Sequence, residues 1–259
     1  MVVSFIGAGN LATNLAQALR DNGHSIMWVY SRTIKAATML ADMVAAKPTD
    51  DLRDITPGAD IYIIAVKDSV LPDIAKQLSN NLTGQLIVHT AGSINIDVIP
   101  ADRRGVIYPM QTFSKFKRVE FTNIHTFVEA NNKKDLKRIK DIAASISKYV
   151  HETDSDKRKI LHLAAVFACN FANHCEAIAE KILQDNGIDF DVMKPLIKET
   201  FDKILTTSPK LAQTGPAIRN DKNVMQMHAE LIRQIYGEKN DDSRFEVIYK
   251  TLSDSINAL

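Results

Sequence analysis

The sequence predicts an α/β chain: a doubly wound, mostly parallel sheet followed by an all-helical C-terminal part. Three observations predict it. Short apolar runs, at residues 2–6 and 61–66 above all, have the character of strands covered on both faces. Helical patterns stand between those runs, as they must where parallel strands follow one another. From about Asp154 the strand-like runs cease, and apolar residues recur at helical spacing. The chain has 259 residues, 45% hydrophobic and 24% charged, with 32 basic against 31 acidic side chains and a formal charge of +1. That balance gives no reason to expect nucleic acid or an anionic membrane surface as a partner.

The opening stretch organises the rest. Val2, Val3, Phe5 and Ile6 form a buried strand, and Gly7-Ala8-Gly9-Asn10-Leu11-Ala12 follows at once. In a G-x-G-x-x-G/A turn the first Gly makes the tight bend and the second lets backbone approach a pyrophosphate. The third small residue, here Ala12, lets the helix pack closely on the strand. Leu11, Leu15, Ala18 and Leu19 recur at helical spacing, and Gly23 stands where that helix stops. A second strand arrives on schedule at 25–30, which is the context the motif requires. The start of the helix then points free N–H groups and a positive dipole end at the turn, a place for phosphate. After the second strand the chain reads Tyr30-Ser31-Arg32-Thr33, with no carboxylate to accept from a ribose 2′-OH. A guanidinium and a hydroxyl bind a 2′-phosphate that a carboxylate would repel, so NADP is expected rather than NAD. The bland alternative is a solvated Arg32 beside a Thr33 that caps the next helix.

Further along, a helix is expected from Thr33 to Val44, then a polar connection at 48–57 with a short element at 52–55. Residues 61–66 form the strongest strand, central in the sheet, with Lys67 at its carboxyl end. A helix at 70–78 precedes a buried strand at 86–89, which ends in Thr90-Ala91-Gly92-Ser93. A strand at 105–108 is halted by Pro109, residues 124–129 read as an outer strand, and 132–149 as an amphipathic Lys-rich helix. Four helices are expected in the remainder, at about 155–185, 189–207, 221–236 and 242–257. Asn186-Gly187 closes the first and Ser208-Pro209 the second. The composition shift puts a dinucleotide-binding domain at 1–152 and an all-helical domain at 153–259.

Between Ile160 and Ala172 the first of these helices is apolar nearly all round, so it is expected to be buried. His162, Cys169, Asn170, Asn173 and Glu176 fall on one arc of about 120° at 100° per residue, a stripe able to face a cofactor. The bland reading is a satisfied core histidine and two Asn amides bonded between helices. A second polar island, Thr214-Gly215-Pro216-Ala217-Ile218-Arg219-Asn220-Asp221, offers Arg219 for a substrate carboxylate or phosphate, while Asp221 is an equally good helix cap. Cys169 and Cys175 point to different helix faces and are not expected to pair, which fits a reducing cytoplasm. The chain opens directly on a strand, so no signal peptide is expected. No apolar run approaches the ~18 residues of a membrane span, and no metal site is expected.

These motifs together resemble a bacterial family. Gly7-Ala8-Gly9-Asn10, His89-Thr90-Ala91-Gly92-Ser93, Tyr108-Pro109-Met110-Gln111-Thr112-Phe113, His162-Leu163-Ala164-Ala165-Val166 with Asn170, and Thr214-Gly215-Pro216 with Arg219 and Asp221 recur in that order. The family is one of Rossmann-like proteins with a C-terminal domain of unknown function, labelled NADP oxidoreductase, coenzyme deazaflavin-dependent. In layout it is similar to pyrroline-5-carboxylate reductase and the 3-hydroxyacid dehydrogenases. The resemblance covers nearly the whole chain. It implies a Rossmann domain, a helical domain like the C-terminal one of 6-phosphogluconate dehydrogenase, and a homodimer built through the helical domains. It implies no substrate. The 3-hydroxyacid dehydrogenases carry Lys-x-x-x-Asn on the long helix, whereas Val166 precedes Asn170 here, and Tyr108 stands where the family more often has His.

The function expected is hydride transfer between NADP and a small carbonyl, imine or alcohol. Gly7, Gly9, Asn10 and Leu11 would hold the phosphates, Ser31 and Arg32 the 2′-phosphate, and Val66, Lys67 and Thr90 would line the way for the nicotinamide. His162, Tyr108, or water on Asn170 and Asn173 would supply the proton, with Arg219 as an anion clamp. The alternatives are an NADP-binding sensor or scaffold without turnover, which the missing Lys favours, and a deazaflavin-using reductase.

Overall fold

In the computed structural model, residues 1–114, 117–237 and 244–258 are described. Two compact units emerge, Met1–Phe171 and Ala172–Leu259.

The first unit is built on eight strands: β1 (Val2–Ile6), β2 (Ser25–Tyr30), β3 (Lys47–Thr49), β4 (Ile61–Ile64), β5 (Leu86–His89), β6 (Arg103–Pro109), β7 (His125–Ala130) and β8 (Tyr149–Glu152). Their order across the sheet is β3-β2-β1-β4-β5-β6-β7-β8. All neighbours run parallel except β6 and β7. The crossover helices are α1 (Asn10–Asp21), α2 (Ile34–Val44), α3 (Leu71–Asn81) and α4 (Lys133–Ala144).

Both faces of the central strands are apolar, and alternate residues serve different layers. Val3 and Phe5, Ile61 and Ile63, and Leu86 and Val88 pack against α1, α2 and α4. Ile6, Tyr62, Ile64 and Ile87 point the other way, toward Leu71, Ile74 and Leu78 of α3. Fully burying each such Ile or Leu is worth about 1.5–3 kcal/mol, which fixes the register.

Two short strands escape the sequence reading. β3 contains Pro48 and sits at one edge, where a missing N–H costs least. β8 takes up the end of the stretch expected to be helical: α4 stops at Ala144, and Tyr149 begins a strand beside β7. The strand at 125–130 is therefore not the outermost.

After β8 comes α5 (Ser155–Ala165), which runs into a π-helical stretch, Val166–Phe171. Asp154 caps α5 by accepting from the Lys157 N–H. The expected burial of this segment is overturned: Ile160, Leu163 and Phe171 are exposed, and Phe167 is 64% exposed. The apolar girdle does not mark a core helix of this chain.

The second unit holds α6 (Ala172–Asp185), α7 (Lys194–Thr206), α8 (Pro209–Ala212), α9 (Lys222–Tyr236) and α10 (Arg244–Ala258). α6 ends at Asn186-Gly187, with Gly187 at φ +71° as a helix stop demands. Asp242 and Ser243, the expected start of the last helix, lie outside the described residues. Among the described residues of this unit, Ala217, Tyr236 and Ser253 are buried and no others. Leu205 is 82% exposed, and Leu196, Leu231 and Val247 are at least half exposed.

Candidate functional site

The switch in strand order falls between β1 and β4, and a cleft of about 520 Å³ opens at the carboxyl ends of the strands there. Its walls come from the segments just past β1 (Gly7, Gly9, Asn10, Leu11), β2 (Ser31, Arg32), β4 (Val66, Lys67) and β5 (Thr90). The nine residues expected to hold the cofactor thus line one cleft.

The turn after β1 is possible because of Gly7. Its φ is +123°, and a Cβ there would lie 2.2 Å from the Ala65 carbonyl oxygen, so the bend presses directly against the strand beside it. Gly9 is the N-cap of α1 and offers no side chain to the free amides of the first turn. A Cβ on Gly9 would meet nothing within 4 Å. Bare amides, a positive helix end, no acidic residue in the first turn and open space above them together fit an anionic phosphate. One strand away, Arg32 is exposed and makes no hydrogen bond or ion pair with the described residues. Asp68, a carboxylate in the cleft wall, accepts from the Ser93 hydroxyl.

At the far end of the cleft stand Tyr108, from β6, and His162, from α5. Tyr108 Oη and His162 Nδ1 are 3.2 Å apart and hydrogen-bonded, with the rings edge to face at 6.0 Å. Burial pushes the Tyr108 phenol above its usual pKa, opposed by the positive charge of Arg158. The phenol therefore keeps its proton. The His162 ring is seated on Gly92: a Cβ there would come within 2.7 Å of Cγ and Nδ1.

Beyond this pair lies a second cavity, of about 610 Å³, which shares Tyr108 and His162 with the cleft. Met110, Phe113, Ala165, Ala168 and Asn170 are among its walls. The stretch carrying Met110 and Phe113 is tied back to the opening helix. Asn10 donates its amide to the Phe113 carbonyl at 3.0 Å, and Asn14 donates to the Ser114 carbonyl at 3.0 Å. Asn10 therefore contributes backbone to the phosphate turn while its side chain holds the second cavity in place.

Sequence reasoning missed the group that seats α5. Arg158 is fully buried, donating to Glu129 of β7, to the Ile94 carbonyl and, at 3.1 Å, to Ser155 Oγ. Ser155 in turn accepts from the Ile96 N–H at 3.0 Å and donates to Glu129. The network fixes the helix that carries His162, one turn further on. In sequence, Ser155-x-x-Arg158 is indistinguishable from any polar helix start. His89 is also buried; its Nδ1 accepts from the Ala91 N–H at 3.1 Å and its Nε2 has no partner among the described residues. Burial, with the Arg158 charge adding to it, lowers its pKa to about 3, so His89 is neutral.

Of the other expected site residues, Asn170 lines the second cavity with His162, since the π-helical stretch carries it there. Asn173 falls in the second unit and is exposed on α6. Arg219 is exposed in the second unit, before α9, and Asp221 caps that helix by accepting from the Val224 N–H. No helix among the described residues is long and apolar enough to cross a membrane.

Comparison with known proteins matches residues 2–92 to the model of the family "NADP oxidoreductase coenzyme F420-dependent" and residues 124–256 to that of the domain of unknown function DUF2520. A candidate NADP oxidoreductase from Bacteroides fragilis is 44% identical over all of this chain and 98% of its own, with a TM-score of 0.92. Two more distant structures share the fold. An imine reductase from Myxococcus stipitatus in complex with NADP+ is 16% identical over 98% of this chain and 95% of its own, TM-score 0.67. A pyrroline-5-carboxylate reductase from Coxiella burnetii is 16% identical over 98% and 97%, TM-score 0.57. A search of curated proteins returned no match.

Proposed function

The chain belongs to the family that joins an NADP oxidoreductase, coenzyme F420-dependent domain to DUF2520, and from that premise we propose that it is an NADPH-dependent reductase of a C=N or C=O bond. The observation that carries this reading is the Tyr108–His162 pair, which is at once the end of the nucleotide cleft and the wall of the second cavity.

NADPH supplies the hydride when bound. The free amides of the α1 start hold its pyrophosphate, and Ser31 with Arg32 takes the 2′-phosphate. Val66, Lys67 and Thr90 line the path toward Tyr108. Tyr108 Oη gives its proton to the nitrogen or oxygen that gains negative character, and the His162 ring relays one back, releasing it to Tyr108 from Nδ1 while Nε2 takes one from water. Asn170, on the same cavity wall, orients the reacting atom. No lysine is needed in this scheme, so Val166 does not argue against turnover.

A titration tests the reading. Wild-type protein should bind NADPH more tightly than NADH. Arg32→Ala should lose about 10- to 100-fold in NADPH affinity, the worth of a charge-assisted bond, while NADH affinity stays put. Equal affinity for the two nucleotides in wild type would overturn the NADP assignment.

Within the same reading, a second copy of this chain covers the helical unit. A row of exposed Leu, Phe and Val side chains this dense exceeds what a lone soluble unit presents. Light scattering on the purified protein should give twice the chain mass, and a monomer at micromolar concentration would refute it.

A further inference from the structure

Asp68 is the one acidic side chain among the described residues that line the nucleotide cleft. Around it the cleft is built for negative charge, with bare amides at the start of α1, Lys67 next in the chain and Arg32 past β2. A carboxylate in such a wall repels a polyanion, so its presence there needs a reason of its own. Part of one is local. Asp68 opens the single helical turn Asp68–Val70 that leads into α3, where a negative charge is favoured. That gain is the same whichever way the carboxylate points, and here its direction is fixed. The Ser93 hydroxyl, from the loop after β5, donates to Asp68 Oδ2. Asp68 is exposed and makes no other hydrogen bond and no ion pair with the described residues, which leaves Oδ1 open to a donor.

The place of Asp68 along the cleft says which donor. The segment after β4 begins beside the phosphate turn: a Cβ on Gly7 would come 2.2 Å from the Ala65 carbonyl oxygen and 3.3 Å from Val66 Cγ1. Through Ser93 it is tied to the loop on which Gly92 seats His162. Asp68 therefore stands between the phosphate end of the cleft and the Tyr108–His162 end. In a dinucleotide laid along this cleft, the group between the pyrophosphate and the nicotinamide is the second ribose, whose 2′ and 3′ hydroxyls are donors. A carboxylate that accepts from a ribose hydroxyl makes a charge-assisted bond, about twice as strong as a neutral one.

We infer that Asp68, held in place by Ser93, accepts from the ribose hydroxyls of the nicotinamide half of NADPH. The inference rests on the proposed function, which lays NADPH along this cleft. The 2′-phosphate belongs to the other ribose, so Asp68 serves NADPH and NADH alike and takes no part in choosing between them.

Adenosine 2′,5′-bisphosphate carries the adenine half of NADP+ without the nicotinamide ribose, and so isolates the contact. NADP+ and this half-ligand are titrated by calorimetry into full-length wild type and Asp68→Ala. The variant is expected to lose about 10-fold or more in NADP+ affinity, the worth of a hydrogen bond to a charged group, while the half-ligand changes by less than about two-fold. The unchanged half-ligand also shows that the variant is folded, and the preference for NADPH over NADH should stay at its wild-type value. An equal change for both ligands, no change, or tighter NADP+ binding, as expected if Asp68 only repelled phosphate, overturns the inference. A loss that vanishes with the 3-acetylpyridine analogue of NADP+ also overturns it, because that analogue keeps the ribose and lacks the carboxamide N–H donors. Wild type that binds neither ligand sinks the NADP reading itself, and the role of Asp68 with it.

Discussion

Gly92→Ala places one methyl group where the His162 ring stands. Built on the existing backbone, the new Cβ would lie 2.7 Å from Cγ and Nδ1 of the ring and 2.9 Å from its Cβ. Ordinary contact begins near 3.4 Å, so the ring must retreat by about 0.7 Å. Gly92 is not among the positive-φ glycines, so the methyl adds no backbone strain of its own. The contacted atoms lie at the root of the His162 side chain, so a rotamer change alone does not relieve them and α5 itself must give way. Overpacking of this kind costs about 1–3 kcal/mol. A retreat along the bond to Tyr108 would stretch 3.2 Å to about 3.9 Å, past hydrogen-bonding distance. Misplacing a reacting group by this order costs about 100-fold in rate. Urea unfolding, an NADPH titration and NADPH oxidation with an imine or ketone that the wild type reduces separate the effects. The expected outcome is a kcat lower by about two orders of magnitude with NADPH affinity changed less than about three-fold. Turnover and stability both at the wild-type level would refute the claim that Gly92 seats the Tyr108–His162 pair.

Other expectations concern the groups beneath the site. Arg158→Met should destabilise the fold by about 3–5 kcal/mol because it leaves Glu129 without its buried counter-charge; Glu129→Gln should do nearly as much, and the double variant less than the sum of the two. Additive losses in urea melts would show that the two side chains do not act as a pair. Neutral buried His89 makes stability depend on acid: its folded pKa, about 3, lies below the unfolded value of 6.5, so the unfolded chain binds the extra proton. Stability is then full above pH 6.5 and falls as pH drops from 6.5 toward 3, by about 4–5 kcal/mol in all. His89→Asn, compared with wild type across that range, should flatten this part of the curve, and parallel curves would count against it.

The opening turn was legible because it is local: Gly7, Gly9, Ala12 and the flanking strands are consecutive, and each has a stereochemical reason to be where it is. The strands 61–64 and 86–89 were legible because both their faces are apolar. β3 and β8 were not, since three or four residues carry no period, and Pro48 and the Lys-rich run before Tyr149 pointed elsewhere. Tyr108 and His162 could be singled out one at a time, but their meeting at 3.2 Å depends on Ser155 and Arg158, which meet Glu129 from 26 and 29 residues away. The apolar girdle of α5 misled because periodicity records that a face will be covered and not by what. Asn170 reaches the cavity wall on a π-helical stretch that no composition rule announces.

The uncovered helices after Phe171 have a thermodynamic consequence. A unit in which three described residues are buried has almost no interior of its own, so under the proposal of a second copy most of its folding free energy would be realised on association. Its midpoint of unfolding would then be a function of how much protein is in the tube, rising with the logarithm of concentration. Dilution would act on this molecule as a mild denaturant, and a melt recorded at one concentration would describe the solution as much as the chain.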